Sequence, residues 1–371
     1  MNRGTANILL IFPFLLILGA CATAPLPKEA RGPIFYPSPP APPRVQYLAS
    51  FSSAADLAGP QSGFAAFLLG KNTKEEYAVQ KPYGVGIWDG KIYVVDAGGP
   101  GYAVFDLKSC KLKGVSGTGG GKLRKPINIA IDGDGTKYVT DTGLNQVLVF
   151  DRDDNFLRAY GAQEEFRPGG VAIWGDRLYV SDIKKHEIQV LDKGSGKLLF
   201  KFGKVGSKEE ELFFPTNMVI GPDQHLYVSN TGNFRIQKFT VDGKFVRSFG
   251  EIGKSPGQFA RPKGVAVDRE GRIYVVDAAF ENIQVFDKEG HLLLFFGGPG
   301  GNREDINLPT AMVIDYENVP LFQRFADPKF KVEYLILVAS QFGASKVNVY
   351  GFGAMEGADY TIKEQPDNKK N

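Results

Sequence analysis

Five oxygen-bearing side chains recur at near-equal intervals along the chain: Asp96, Asp141, Asp182, Asn230 and Asp277. Each closes the same short phrase, written YVVD, YVTD, YVSD, YVSN and YVVD again. An aromatic, a valine and a small residue in succession favour an extended strand, so the five oxygens end equivalent strands and share one face. Two kinds of chemistry suit them. Carboxylates and an amide converging on one axis make an oxygen cage for Ca²⁺; alternatively, each accepts backbone N–H groups from the loop that follows it. A residue demanded once per unit ordinarily serves the unit itself. Loop capping is therefore the expectation, Ca²⁺ at this face is the competing assignment, and no other cofactor or metal site is assigned. Asn128 and Asn217, two residues after recurrent prolines, either face the same axis or satisfy a turn.

The other reactive side chains do not gather. On the strands laid out below, His186 falls in a loop between a second and a third strand. His225 falls at a turn on the opposite face and His291 on an outermost strand, so a three-histidine zinc site is excluded. The chain has no His-Glu-x-x-His and no Cys-x-x-Cys-His, which removes the common zincin and haem-attachment signatures. Lys184, Lys185 and His186 place a basic cluster on the face of the acids; surface lysines of this kind are ordinarily just solvated. Of the two cysteines, Cys21 and Cys110, only the first lies in a telling context.

The elements that carry these residues repeat. Prolines 82, 126, 168, 215, 262 and 309 open six similar units with periods of 44, 42, 47, 47 and 47. A period in the forties with only short apolar runs describes a four-stranded unit repeated about an axis. In the fifth unit the strands read GVAVD, RIYVVD, NIQVFD and HLLLFFG, separated by REG, AAFE and KEG. Continuous apolar runs such as 273–276 require cover on both faces, which neighbouring units supply. The stretches YVVDAAFENIQVFD, YVTDTGLNQVLVFD and YVSNTGNFRIQKFT resemble the NHL repeat, as do the linkers FGEIGKSPGQFARP and FGKVGSKEEELFFP. The resemblance spans 77–352 and loosens in the first unit and in the sixth, where Ser340 stands in the Asp position. It implies an all-β, six-bladed β-propeller of four-stranded blades. It also implies an alternative function, since lactonase-like and lyase-like propeller enzymes hold a metal near the central channel.

The sixth unit supplies only three strands before a polar tail, 353–371. The segment RVQYLASF, 44–51, reads like the fourth strands FVRSFG and KLLFKFG, so it is expected to complete the last blade as an N-terminal clasp. The propeller then occupies 44–352. Ahead of it, 22–43 holds eight prolines and reads as a semi-rigid stalk. The apolar run 8–18 follows a single Arg3 and is too short for a comfortable membrane span. It ends in LGAC, 18–21, which resembles a bacterial lipobox. That resemblance implies a signal peptide over 1–20, acyl chains on Cys21 and, with Ala22 next, an outer-membrane address in a Gram-negative bacterium.

Composition narrows the function. The 44 basic and 41 acidic residues leave a formal charge of +3, too little for a nucleic-acid partner, and 45 Gly with 23 Pro fit a turn-rich β protein. Irregular segments say more than repeated ones. A short helix is expected near 63–70, and 316–333 is a long insertion where other units turn tightly. Its Phe322, Phe325 and Phe330 are candidates for an exposed partner patch, the other reading being that they fold back over the propeller. The sum is a monomeric, lipid-anchored, non-catalytic scaffold for envelope protein partners, with a metal-dependent lactonase or lyase as the alternative.

Overall fold

The computed structural model describes residues 32–57, 78–99, 101–161 and 166–360. The expected signal segment, Cys21, the first ten residues of the stalk (22–31) and the candidate helix near 63–70 lie outside the described residues. The described chain forms six antiparallel sheets, five of them with four strands in sequence order. Blade 1 opens with Pro82–Trp88, blade 2 with Pro126–Ile131 and blade 3 with Pro168–Trp174. Blades 4, 5 and 6 open with Pro215–Ile220, Pro262–Val267 and Asn307–Asp315. Each opening strand touches the opening strand of the next blade, and that of blade 6 returns to blade 1, so the fold is a closed six-bladed β-propeller.

The apolar runs make the ring because strand residues alternate between faces. In blade 1, Ile92 and Val94 pack toward blade 6, whereas Tyr93 and Val95 pack toward blade 2. The same alternation sends Tyr138 toward blade 3 and Val139 toward blade 1. Six cores result, one between each pair of neighbours. Around the axis the first strands approach so closely that glycine is required. A Cβ on Gly170 would stand 2.5 Å from the Thr216 carbonyl oxygen, and one on Gly264 would stand 2.9 Å from the Met312 nitrogen.

Blade 6 draws on both ends of the described chain. Val45–Phe51 pairs antiparallel with Val347–Met355, from Val45 opposite Phe352 to Phe51 opposite Val347. Two boundaries differ from expectation. Phe35–Tyr36, assigned to the stalk, adds a short fifth strand beside Val45–Phe51, because its rings find partners: Phe35 lies 5.7 Å from Phe330, and Tyr36 lies 5.9 Å from Phe296. The third strand continues past 352 to Met355, and Tyr360 of the supposed tail binds back through its hydroxyl to Pro43 O at 2.7 Å.

The insertion is also more ordered than a loop. It holds a helical turn, Val319–Phe322, a 3₁₀ turn, Gln323–Phe325, and the start of a long strand, Phe330–Phe342. This corrects the expected aromatic patch. Phe322 and Phe330 are each 1% exposed, since Phe322 meets Phe51 edge-on at 6.3 Å and Phe330 is covered by Phe35. Only Phe325, 41% exposed, reaches the surface.

Candidate functional site

The five recurring oxygens sit where their strands end, and all five side chains are fully buried. Asp277 accepts four backbone N–H groups, two from the chain entering the blade and two from the loop leaving the strand. The donors are Ala260 (2.7 Å), Arg261 (3.0 Å), Ala279 (2.9 Å) and Phe280 (3.1 Å). Asp141 does the same with Arg124, Lys125, Gly143 and Leu144. Asp96 takes Gln80, Lys81 and Gly98, and Asp182 takes Arg167, Lys184 and Lys185. Burial raises the Asp182 carboxyl above the usual range, opposed by these N–H bonds. Each side chain thus ties the blade's entry to its own second loop, an arrangement that uses the oxygens a metal would need.

Blade 4 shows what a neutral residue does at the same place. Asn230 Oδ1 accepts Phe213 N–H at 2.7 Å, while its Nδ2 donates to Glu211 O and to Gln237 Oε1. In blade 6, Ser340 takes the position opposite Pro309, and its hydroxyl has no hydrogen-bond partner. Replacing Asp277 by Ala is therefore expected to strand four amides and cost about 3 kcal/mol or more, whereas Asp277→Asn, which keeps one acceptor, should cost about half of that. Urea unfolding of the two variants with and without chelator checks this; a chelator-dependent loss in the wild type would make the residue a metal ligand instead.

The histidines occupy separate surroundings. His186 accepts Phe214 N–H at its Nδ1 (2.9 Å) and lies 5.0 Å from the Phe213 ring. His225 Nδ1 lies 2.7 Å from Asp223 O at the first hairpin of blade 4. His291, just ahead of a fourth strand, bonds Asp287 at 2.9 Å. Among the described residues no group of three His, Cys, Asp or Glu side chains is placed to hold a metal ion. Cys110 is exposed and free.

At the face bearing the buried acids, the axial channel opens into a cup of about 260 Å³. Lys125, Arg167 and Arg261, each directly before a blade-opening proline, line it together with Lys263, Asn128 and Asn217. The cup continues into the channel between the first strands, a space of about 370 Å³ bordered again by Asn128 and Asn217. Lys263 is partly buried. Burial, assisted by repulsion from Arg261, pushes its amine down to about 8. Asn128 Oδ1 accepts Ile129 N–H at 2.8 Å, and Asn217 Nδ2 reaches Thr310 O at 3.4 Å. The cations of this mouth were visible in the sequence as Lys or Arg before the marker proline in four units. One unit at a time, they read as ordinary charged turns. Elsewhere, Phe325 and Arg324 border a larger groove of about 880 Å³ beside Leu48 and Phe51.

This combination of six radial four-stranded blades, a buried capping oxygen in five of them and an open axial mouth defines the chain as a six-bladed β-propeller. Residues 222–295 match a family described as a 6-bladed beta-propeller. Solved structures share the fold at low identity. A protein of unknown function from Bacteroides thetaiotaomicron is 16% identical with a TM-score of 0.57, over 83% of this chain and 75% of that one. A gluconolactonase, XC5397, from Xanthomonas campestris is 16% identical with a TM-score of 0.54, over 84% and 98%. Virginiamycin B lyase from Staphylococcus aureus is 16% identical with a TM-score of 0.50, over 73% and 80%.

Proposed function

We propose that the protein is a lipid-anchored, NHL-type propeller serving as a non-catalytic scaffold for protein partners in the bacterial cell envelope, at the outer membrane. The observation that carries the non-catalytic part is the commitment of Asp96, Asp141, Asp182, Asn230 and Asp277 to backbone amides behind the surface. The anchor rests on LGAC and the proline-rich segment that follows it. A rigid ring on a stalk presents loops without needing to close on a substrate. The competing reading, a metal-dependent lactonase or lyase working at the channel, draws on the names of two solved neighbours. It would require the buried oxygens to leave their amides.

Two measurements test the proposal. The full chain expressed in a Gram-negative host should take up labelled palmitate and fractionate with the outer membrane, and Cys21→Ser should abolish both. Purified full-length protein, offered lactones and esters with added Ca²⁺ or Mg²⁺, should show no turnover above buffer. A Cys21→Ser variant that fractionates like the wild type removes the anchor; turnover that tracks a stoichiometric metal removes the scaffold.

A further inference from the structure

The mouth of the channel concentrates cations without partners. Among the described residues, Lys125, Arg167, Arg261 and Lys263 form no ion pair, and no carboxylate borders the cup. The acids of this face are turned away. Asp141, Asp182 and Asp277 are buried against amides, and Glu281 accepts Leu308 N–H at 2.8 Å. Lys81, the remaining cation placed before a blade-opening proline, is drawn instead toward the rings of Phe342 (5.9 Å) and Tyr83 (6.0 Å). An unpaired ammonium held partly out of water is costly unless an anion joins it. Two guanidinium forks beside two ammonium groups suit planar, bidentate carboxylates. The Nδ2 of Asn128, whose oxygen is already used, adds a neutral donor.

We propose that this cup binds a multivalent carboxylate, held by Lys125, Arg167, Arg261 and Lys263, its source being either a free di- or tricarboxylic acid or the acidic end of a polypeptide. At about 260 Å³ the cup lies at the small end of ligand pockets, so a compact anion fills it. Four cations at one mouth also favour several negative charges over one, because each added charge relieves the repulsion of the empty state. The site does not depend on the scaffold reading: a small acid would be a ligand that a scaffold has no need of, whereas an acidic segment would supply its partner contact.

Calorimetric titration of the full-length protein at low ionic strength separates the sources. Propane-1,2,3-tricarboxylate or hexaglutamate is expected to bind at one site per chain, with acetate at least tenfold weaker. Tighter binding of the tricarboxylate assigns a free acid, and tighter binding of hexaglutamate assigns a polypeptide. Lys263→Met and Arg261→Gln should each weaken the better ligand at least tenfold, while Lys288→Met, on an outer turn, should leave it unchanged. Limited acylation at pH 8, mapped by mass spectrometry, should modify Lys263 and be suppressed by the bound tricarboxylate. The proposal is overturned if neither polyanion binds, if affinity is the same in both mouth variants, or if the tricarboxylate binds and Lys263 labelling does not change.

Discussion

A chain lacking Val45–Phe51 is expected to lose on the order of 15 °C in melting temperature and to aggregate, because the strand is both core and edge cover. Val45, Leu48 and Phe51 are buried, and burying three such side chains contributes roughly 5–9 kcal/mol. That is comparable to the whole stability of a typical fold, about 5–15 kcal/mol. The strand also carries polar ties across the seam. Arg303 bonds Ser50 O at 3.1 Å and also reaches Asp56, while Gln46 Oε1 accepts Asp327 N–H at 3.0 Å. Removing it strips Val347–Phe352 of its outer partner and leaves that six-residue edge open to pairing with other molecules. The measurement is a thermal melt followed by light scattering, with a synthetic peptide of residues 44–53 added in trans. Rescue by the peptide identifies strand loss as the cause. A deletion that melts within about 3 °C of the wild type would mean that blade 6 stands without it.

How much of this was legible in the sequence follows from the range of each interaction. The proline period and the YVVD phrase are local, repeated signals, and they yield six units, with the strands of the fifth correct to within a residue or two. The buried oxygens were legible as a set for the same reason, since the four Asp pair with atoms about sixteen residues back and two or three residues on. Phe322 and Phe330 were not, because what covers them is Phe51 and Phe35, near the other end of the chain. The cationic mouth escaped because its members come from three blades. Lys125, Arg167 and Arg261 read as charged turn residues, and Lys263 as one strand position, until the ring brings them to one cup. Blade 6 was least legible throughout, since its insertion and its long strand break the period that made the others readable.

The same limit applied to a second cluster, in blade 5. Asp268, fully buried in blade 5, gathers groups from two blades. Its Oδ2 accepts Arg272 Nε at 2.6 Å, Tyr334 Oη at 2.9 Å and Tyr274 Oη at 3.2 Å; its Oδ1 accepts the Glu270 and Arg272 amides. The two phenols stand 2.6 Å apart, and Arg272 lies over the Phe352 ring at 4.6 Å. Tyr334 and Phe352 belong to blade 6, so one carboxylate links the blades at the interface next to the Val45–Phe51 seam. Asp268→Ala removes the buried acceptor of Arg272 Nε and of the two phenols, leaving Arg272 its exposed bond to Glu270 (2.8 Å), a loss expected at about 3–5 kcal/mol. Asp268→Asn keeps one oxygen but no charge and should cost less. Burial, before the nearby charge of Asp268, raises the Tyr274 phenol, and burial likewise raises Tyr334. The folded state therefore holds protons that the unfolded chain releases near pH 10. Stability from these groups is fully present below about pH 10 and declines as pH rises beyond it. Urea titrations at pH 8 and pH 10.5 should show the wild type weaker at the higher pH. The gap between wild type and Asp268→Ala at pH 8 should exceed 2 kcal/mol, and a gap under about 1 kcal/mol would show that water, not blade 6, completes this carboxylate's coordination.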